Sequence, residues 1–138
     1  MARRIFLAAP LFCESEREFN SKVASRLRSA GCEVWLAQEV AIYKKGSAHV
    51  KRKVFREDLS ALKASDVVVA VLDGVDVDTG VAFELGYAHA LEKPLIGLKT
   101  DHRTFSKTEE VNLMVEAPLV KLCRSVDELT EYLTSNFR

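Results

Sequence analysis

The sequence predicts an α/β sandwich, with a five-stranded, mainly parallel sheet between two layers of helices. Short apolar, β-rich runs alternate with longer amphipathic segments along the chain. Two of the short runs, "IFLAA" and "VVVAVL", are apolar at every position, as parallel strands covered on both faces require. The length, 138 residues, suits one domain spanning 1–138 with a real core.

The elements follow in order. "IFLAA" (Ile5–Ala9) reads as the first strand, and "ESEREFNSKVASRLRSA" (Glu14–Ala30) as a helix stopping at Gly31, a suitable residue just past a helix end. Phe19, Val23 and Leu27 recur every four positions there, with Arg26 and Arg28 off that line. "EVWL" (Glu33–Leu36) is the second strand. A helix over Val50–Ala64 carries Val54, Leu59 and Leu62 on one side. "VVVAVL" (Val67–Leu72) is the third strand, Thr79–Leu91 the next helix and "LIGL" (Leu95–Leu98) the fourth strand. "TDHRTFSKTEEVNLMVEAP" reads as loop with a short helix around Lys107–Met114. "LVKL" (Leu119–Leu122) is the last strand and Val126–Asn136 the closing helix. Right-handed crossovers place helices on both faces, and ligands in such sheets bind beyond the carboxyl ends of the strands. Residues Pro10–Glu14 and Asp73–Gly80 occupy that rim. "AQEVAIYKKGSAHVKRK", after the second strand, is a candidate lid whose five lysines and arginines read as solvent-facing charge.

Bulk properties exclude several classes. Twenty basic and twenty acidic residues cancel, so no global field attracts nucleic acid or a membrane surface. No apolar run approaches the ~20 residues of a membrane span. The N-terminal "MARRIFLAAPLFCESE" has too short an apolar run for a signal peptide, is interrupted by Pro10, and reads as a strand of a cytoplasmic protein. Cys13, Cys32 and Cys123 are an odd number without C-x-x-C spacing, and His49, His89 and His102 are far apart. Neither a disulfide framework nor a zinc or histidine metal site follows.

The informative segment is "DGVDVDTGVAFELGYAHAL". On a helical wheel Val81, Phe83, Tyr87, Ala88 and Leu91 share an arc, and Glu84 falls inside it rather than beside His89 and Lys93. Removal from water disfavours its charge, so this carboxylate is either held by backbone or arginine donors or kept for chemistry. Asp78 or Thr79 can cap the helix, and Gly80 keeps its first turn slim for a ligand. Asp73, Asp76 and Asp78 crowd the same strand end, where capping explains one of them and not three. Asp58, in "REDLSALKASD", points to solvent or towards the same rim. Clustered carboxylates suggest magnesium-supported phosphoryl transfer or glycosyl transfer by a nucleophile and an acid/base partner. G-x-x-x-x-G-K-[ST], D-x-D-x-T, G-x-S-x-G and G-x-G-x-x-G motifs are all absent, which favours glycosyl chemistry.

"IFLAAPLF", "DVDTGVAFELGYAHAL" and "VNLM" (111–114), in that order over nearly the whole chain, resemble the nucleoside 2-deoxyribosyltransferases. The resemblance implies a flavodoxin-like three-layer sandwich and a base exchange with retention through a covalent glycosyl–glutamate, with no metal and no cofactor. Glu84 matches the family's nucleophile, Asp58 the aspartate that handles the base's proton, and Asp78 the aspartate lining the sugar and base. Phe12 matches an aromatic against the base, and Gln38 a residue at the base edge. Asn112 and Met114 match residues contributed from a neighbouring subunit towards the sugar's 5′ side, hence a homo-oligomer acting on a nucleoside and a free base. Phe6 stands where the family usually has a tyrosine that bonds the nucleophile. Its lack of a donor implies looser positioning of Glu84 and room for a ribose 2′-hydroxyl. The C-terminal "YLTSNFR" does not match the terminal tyrosine of some members. N-glycoside hydrolases of the same superfamily, acting on nucleoside 5′-monophosphates, are the alternative. They tend to carry a serine at the position of Asp78 and a phosphate loop where this chain has "AAPLFCES". An aspartate there would repel a phosphate dianion by a few kcal/mol. A nucleoside-binding module without catalysis is a third reading, with Phe6 its best support.

Overall fold

The structure, a computed structural model, describes residues 2–40 and 48–137. Its sheet has five strands in the order β2-β1-β3-β4-β5, and every neighbouring pair is parallel. The strands are β1 (Arg4–Ala8), β2 (Glu33–Leu36), β3 (Val67–Val71), β4 (Leu95–Leu98) and β5 (Lys121–Cys123). This is the flavodoxin-like three-layer sandwich expected, with a sheet that is wholly rather than mainly parallel. The main helices are α1 (Glu14–Ser29), α3 (Ala48–Ala64), α4 (Thr79–Ala90) and α6 (Val126–Asn136); α2 (Ala37–Val40) and α5 (Leu113–Glu116) are single turns.

Alternation along the strands explains the two cores. Ile5, Leu7, Val69, Ile96 and Leu98 meet Val23, Leu27, Leu129 and Leu133 of α1 and α6 on one face. Phe6, Ala8, Val68, Ala70 and Leu95 meet Leu62, Val81 and Leu85 of α3 and α4 on the other. Two-sided burial is why β1 and β3 lack polar alternation. Gly97 in β4 is a packing requirement. A Cβ there would lie 2.8 Å from Leu72 and Leu119 side-chain carbons and 2.9 Å from Leu122.

The last third differs from expectation. No helix spans Lys107–Met114; the turn of α5 starts at Leu113, because the Asn112 side chain caps it by accepting the Met114 N–H at 2.9 Å. The last strand lies at Lys121–Cys123 rather than Leu119–Leu122, since Leu119 and Val120 bond back to Glu116 and Leu95 carbonyls in the entry turn. The candidate lid is helical at its start in α2 and its end in α3, and residues 41–47, with Lys44 and Lys45, lie outside the described residues.

Candidate active site

Glu84, Asp58 and Asp78 reach one cavity of about 320 Å³ from α4, α3 and the β3–α4 loop. The cavity lies over the carboxyl end of the sheet, floored by Leu7, Ala9 and Leu36. The wheel drawn from sequence divides here. Val81, Leu85 and Ala88 form the buried face of α4, while Phe83 and Leu91 are exposed and Tyr87 half-buried. Glu84 projects at the boundary, between the packed face and the cavity. The reason is geometric: Phe83 and Tyr87 fall too far around the 100° wheel from Val81 and Leu85 to meet the sheet.

The carboxyl of Glu84 is pushed up to about 10. Burial is the largest cause, followed by a hydrogen bond to the Asp58 carboxyl, repulsion from Asp58 and repulsion from Asp78. The Asp58 carboxyl thus lies within hydrogen-bonding reach of Glu84, and burial beside two other carboxyls favours the protonated form of Glu84. Asp78 is fixed differently. It caps α4 by accepting the Val81 N–H at 3.1 Å, which aims its carboxylate along the cavity wall. Gly80 lines the cavity too, and a Cβ there would come within 3.1 Å of the Asp78 carboxylate.

The other expected residues are dispersed. Phe12 lines the cavity with its ring 69% exposed, and Glu16 sets its backbone by accepting the N–H groups of Phe12 at 2.9 Å and Cys13 at 3.1 Å. Gln38 sits outside the lining. Its amide donates to the Arg17 carbonyl at 2.9 Å and the Ser21 hydroxyl at 3.1 Å, and accepts from buried Asn20 at 3.0 Å. Phe6, 1% exposed, is packed in the α3/α4 core beneath the site with Val81 and Leu85. Asn112 and the 76% exposed Met114 also lie outside the cavity, Asn112 beside the loop of Gly74–Val77. Sequence reading missed Trp35, Phe55, Glu57 and Phe83, all of which line the cavity. Phe55 stands three before Asp58 and Phe83 next to Glu84, a spacing that carried the signal.

Asp73 and Asp76 do not join the cavity, so of the three aspartates that crowd this strand end only Asp78 lines it. Asp73 accepts from the Thr100 N–H at 2.6 Å, its hydroxyl at 2.7 Å and the Asp101 N–H at 3.2 Å. Asp76 bonds the next N–H, of Val77, at 2.8 Å. Alongside, Lys99, 1% exposed, pairs with Asp101 at 2.6 Å and donates to the Gly74 carbonyl at 3.0 Å, while Asp101 accepts the Gly74 N–H at 2.8 Å. Gly74 takes φ +120°, open to glycine at little cost, and both of its polar groups are clamped. Burial alone would raise Asp101, but bonds from Lys99, Gly74 and Arg103 outweigh it and hold the carboxyl at about 2. Among the described residues, no group of three or more His, Cys, Asp or Glu is arranged to hold a metal ion, and no helix is long and apolar enough to cross a membrane.

The family model of nucleoside 2-deoxyribosyltransferases matches residues 5–122. The chain belongs to that family. A nucleoside deoxyribosyltransferase of Limosilactobacillus fermentum is 36% identical over 70 residues, a match spanning 51% of this chain but only 41% of that protein's length. The 2-deoxyribosyltransferase of Bacillus psychrosaccharolyticus superposes with a TM-score of 0.82 at 29% identity, covering 94% of this chain and 91% of that one. A CMP N-glycosidase of Clostridium botulinum shares the fold at a TM-score of 0.62 and 20% identity, over 95% of this chain and 98% of its own. The family is one of pentosyltransferases acting on nucleosides, and the matched region runs from within β1 into β5 and includes Asp58, Asp78 and Glu84.

Proposed function

We propose that this chain, as one domain over 1–138, exchanges the base of a (2-deoxy)nucleoside through a covalent bond between Glu84 and C1′ of the sugar. The observation that carries the reading is a nucleophile candidate and an acid candidate in carboxyl contact within one cavity, on a scaffold of the deoxyribosyltransferase family. Before substrate binds, Glu84 carries the proton. As a base docks against Asp58, the proton passes from Glu84 to Asp58, and Glu84 is left ionised against the sugar. An oxygen of Glu84 then attacks C1′. The N-glycosidic bond breaks, its electron pair goes to the base nitrogen, and Asp58 protonates the base. An incoming base attacks C1′ in turn, gives its proton to Asp58 and releases Glu84. Two inversions give net retention. Asp78 is suited to a sugar hydroxyl. Water excluded from this cavity preserves the ester until the second base arrives.

Three finer statements belong to the same reading. Asn112 and Met114, outside their own cavity and exposed at Met114, serve a neighbouring copy in a homo-oligomer. A fully active monomer at high dilution contradicts this. Phe6, without a hydroxyl, leaves ribonucleosides acceptable, so inosine and 2′-deoxyinosine should both turn over; no turnover of inosine rejects the idea. The three free cysteines suit a reducing, cytoplasmic setting. Hydrolysis is the competing outcome: water attacking C1′ in place of the second base would release free sugar from the same ester. Mixing a deoxynucleoside with a second free base separates the readings. Exchanged nucleoside indicates the transferase, free sugar the hydrolase, and neither product a binding module.

A further inference from the structure

Phe55 and Phe83 line the cavity, yet the chemistry above does not use them. They are 52% and 53% exposed, with ring centroids 6.1 Å apart and planes tilted by 52°. Phe83 continues to Tyr87 at 6.4 Å, nearly parallel at 18°. A single exposed phenylalanine is ordinary surface, but a run of rings at a cavity wall is a stacking platform. Phe12 approaches from the loop that leads to α1, the helix on the other face of the sheet. The cavity therefore has aromatic groups contributed from both helix layers.

Helix geometry relates these rings to the reacting atoms. Phe55 precedes Asp58 by three positions on α3, so both project from one face about a turn apart. Phe83 adjoins Glu84 on α4. A base that receives its proton from Asp58 while C1′ meets Glu84 lies against Phe55 and Phe83. We infer that Phe55 and Phe83 form a second aromatic wall opposite Phe12, and that this slot selects purine over pyrimidine bases. Among the described lining residues the polar side-chain groups are the carboxyls of Glu57, Asp58, Asp78 and Glu84 and the Trp35 indole N–H, while Leu36, Val40, Val54 and Leu59 offer none to a pyrimidine's exocyclic groups. Discrimination rests on stacked area, and the bicyclic base covers more of it.

The inference rests on the nucleoside reading above, and its test uses binding so that the two fail separately. Trp35 is the sole tryptophan and lines the cavity, so its fluorescence reports occupancy. Wild type, Phe55→Ala, Phe83→Ala and the double variant are titrated with 2′-deoxyadenosine and with thymidine, with solution mass measured for each. Wild type should bind deoxyadenosine at least about tenfold more tightly, and the double variant should lose roughly 10- to 100-fold for deoxyadenosine but under about threefold for thymidine. Equal wild-type affinities, equal losses for both ligands, or losses that track a change in oligomeric mass overturn the inference, the last by making this face an interface. Purine-selective binding without base exchange keeps the slot and removes the transferase; exchange without purine preference does the reverse.

Discussion

The segment from Asp73 to Glu84 meets two carboxyl clusters of opposite character. At its start, Asp73 and Asp101 are surrounded by donors, with Lys99, Arg103 and the Thr100 and Gly74 N–H groups all pointing at them. At its end, Glu84 meets burial and the carboxyls of Asp58 and Asp78. Asp101 is held at about 2 and Glu84 is pushed up to about 10. The first cluster spends its charge on bonds that fix the β3–α4 loop. The second leaves acceptor atoms uncompensated in a cavity, where a substrate can complete them. Crowded acidic residues in a sequence are thus ambiguous until their donors are known.

The two clusters should also respond to pH in opposite directions. Glu84 has an ordinary value of 4.5, so between there and about 10 the native state keeps a proton that the unfolded chain has lost, and stability falls as pH rises. Asp101 has an ordinary value of 3.8, so it stabilises the fold above that pH and loses its contribution as pH falls through about 2.

The largest expected effect is at Glu84. Glu84→Gln should lower exchange by at least about 10⁴-fold. The same variant should gain stability on the order of 3 kcal/mol at pH 7, because an uncharged amide needs no proton uptake on folding. Thermal melts should show that gain vanish near pH 4; a destabilised variant at pH 8 breaks the contrast. Asp58→Asn should cost about 10²- to 10⁴-fold with ordinary donors. A donor whose base is already cationic, such as 7-methyl-2′-deoxyguanosine, should recover most of the rate of its first half-reaction, because it leaves without a proton. Failure of that rescue removes Asp58 from acid catalysis.

Smaller effects sharpen the other side. Asp101→Ala strands the buried ammonium of Lys99 and should cost about 3 kcal/mol in urea unfolding. Exchange near neutral pH should fall by less than about tenfold, through looser placement of Asp78. A loss as large as that of Glu84→Gln would mean that the donor-rich cluster takes part in chemistry. Asp76→Ala, which removes only a local bond to Val77, should change stability by about 0.5 kcal/mol or less and leave exchange unaltered.

Much of this fold was legible because two-sided burial leaves an unmistakable record. β1 after Arg4 and all of β3 are apolar, and the four-residue repeat of α1 continues into its packed face. The boundary errors came where local hydrogen bonds prevailed over apolar pattern, as at Asn112 and around Leu119–Val120. Within the site, Glu84 and Asp78 were readable from an acidic residue among apolar neighbours and a capping position. Phe12 also reaches the cavity, whereas Gln38 is tied to α1 and Phe6 packs beneath the site. The roles of Asp73 and Asp76 were hidden because their partners, Thr100 and Val77, are backbone and hydroxyl donors without a sequence signature. Lys99 was missed for a related reason: a lysine ending an apolar strand reads as a surface residue until Asp101 and Gly74 are folded around it.

The most direct measurement is the mass of the intermediate. Incubation with a 2′-fluorinated 2′-deoxynucleoside, acid quench and peptide mapping should place one fluoropentosyl group on Glu84, with the free base released in equal amount. A label on another residue, or complete base release with Glu84 unmodified throughout the first turnover, contradicts covalent catalysis by this side chain.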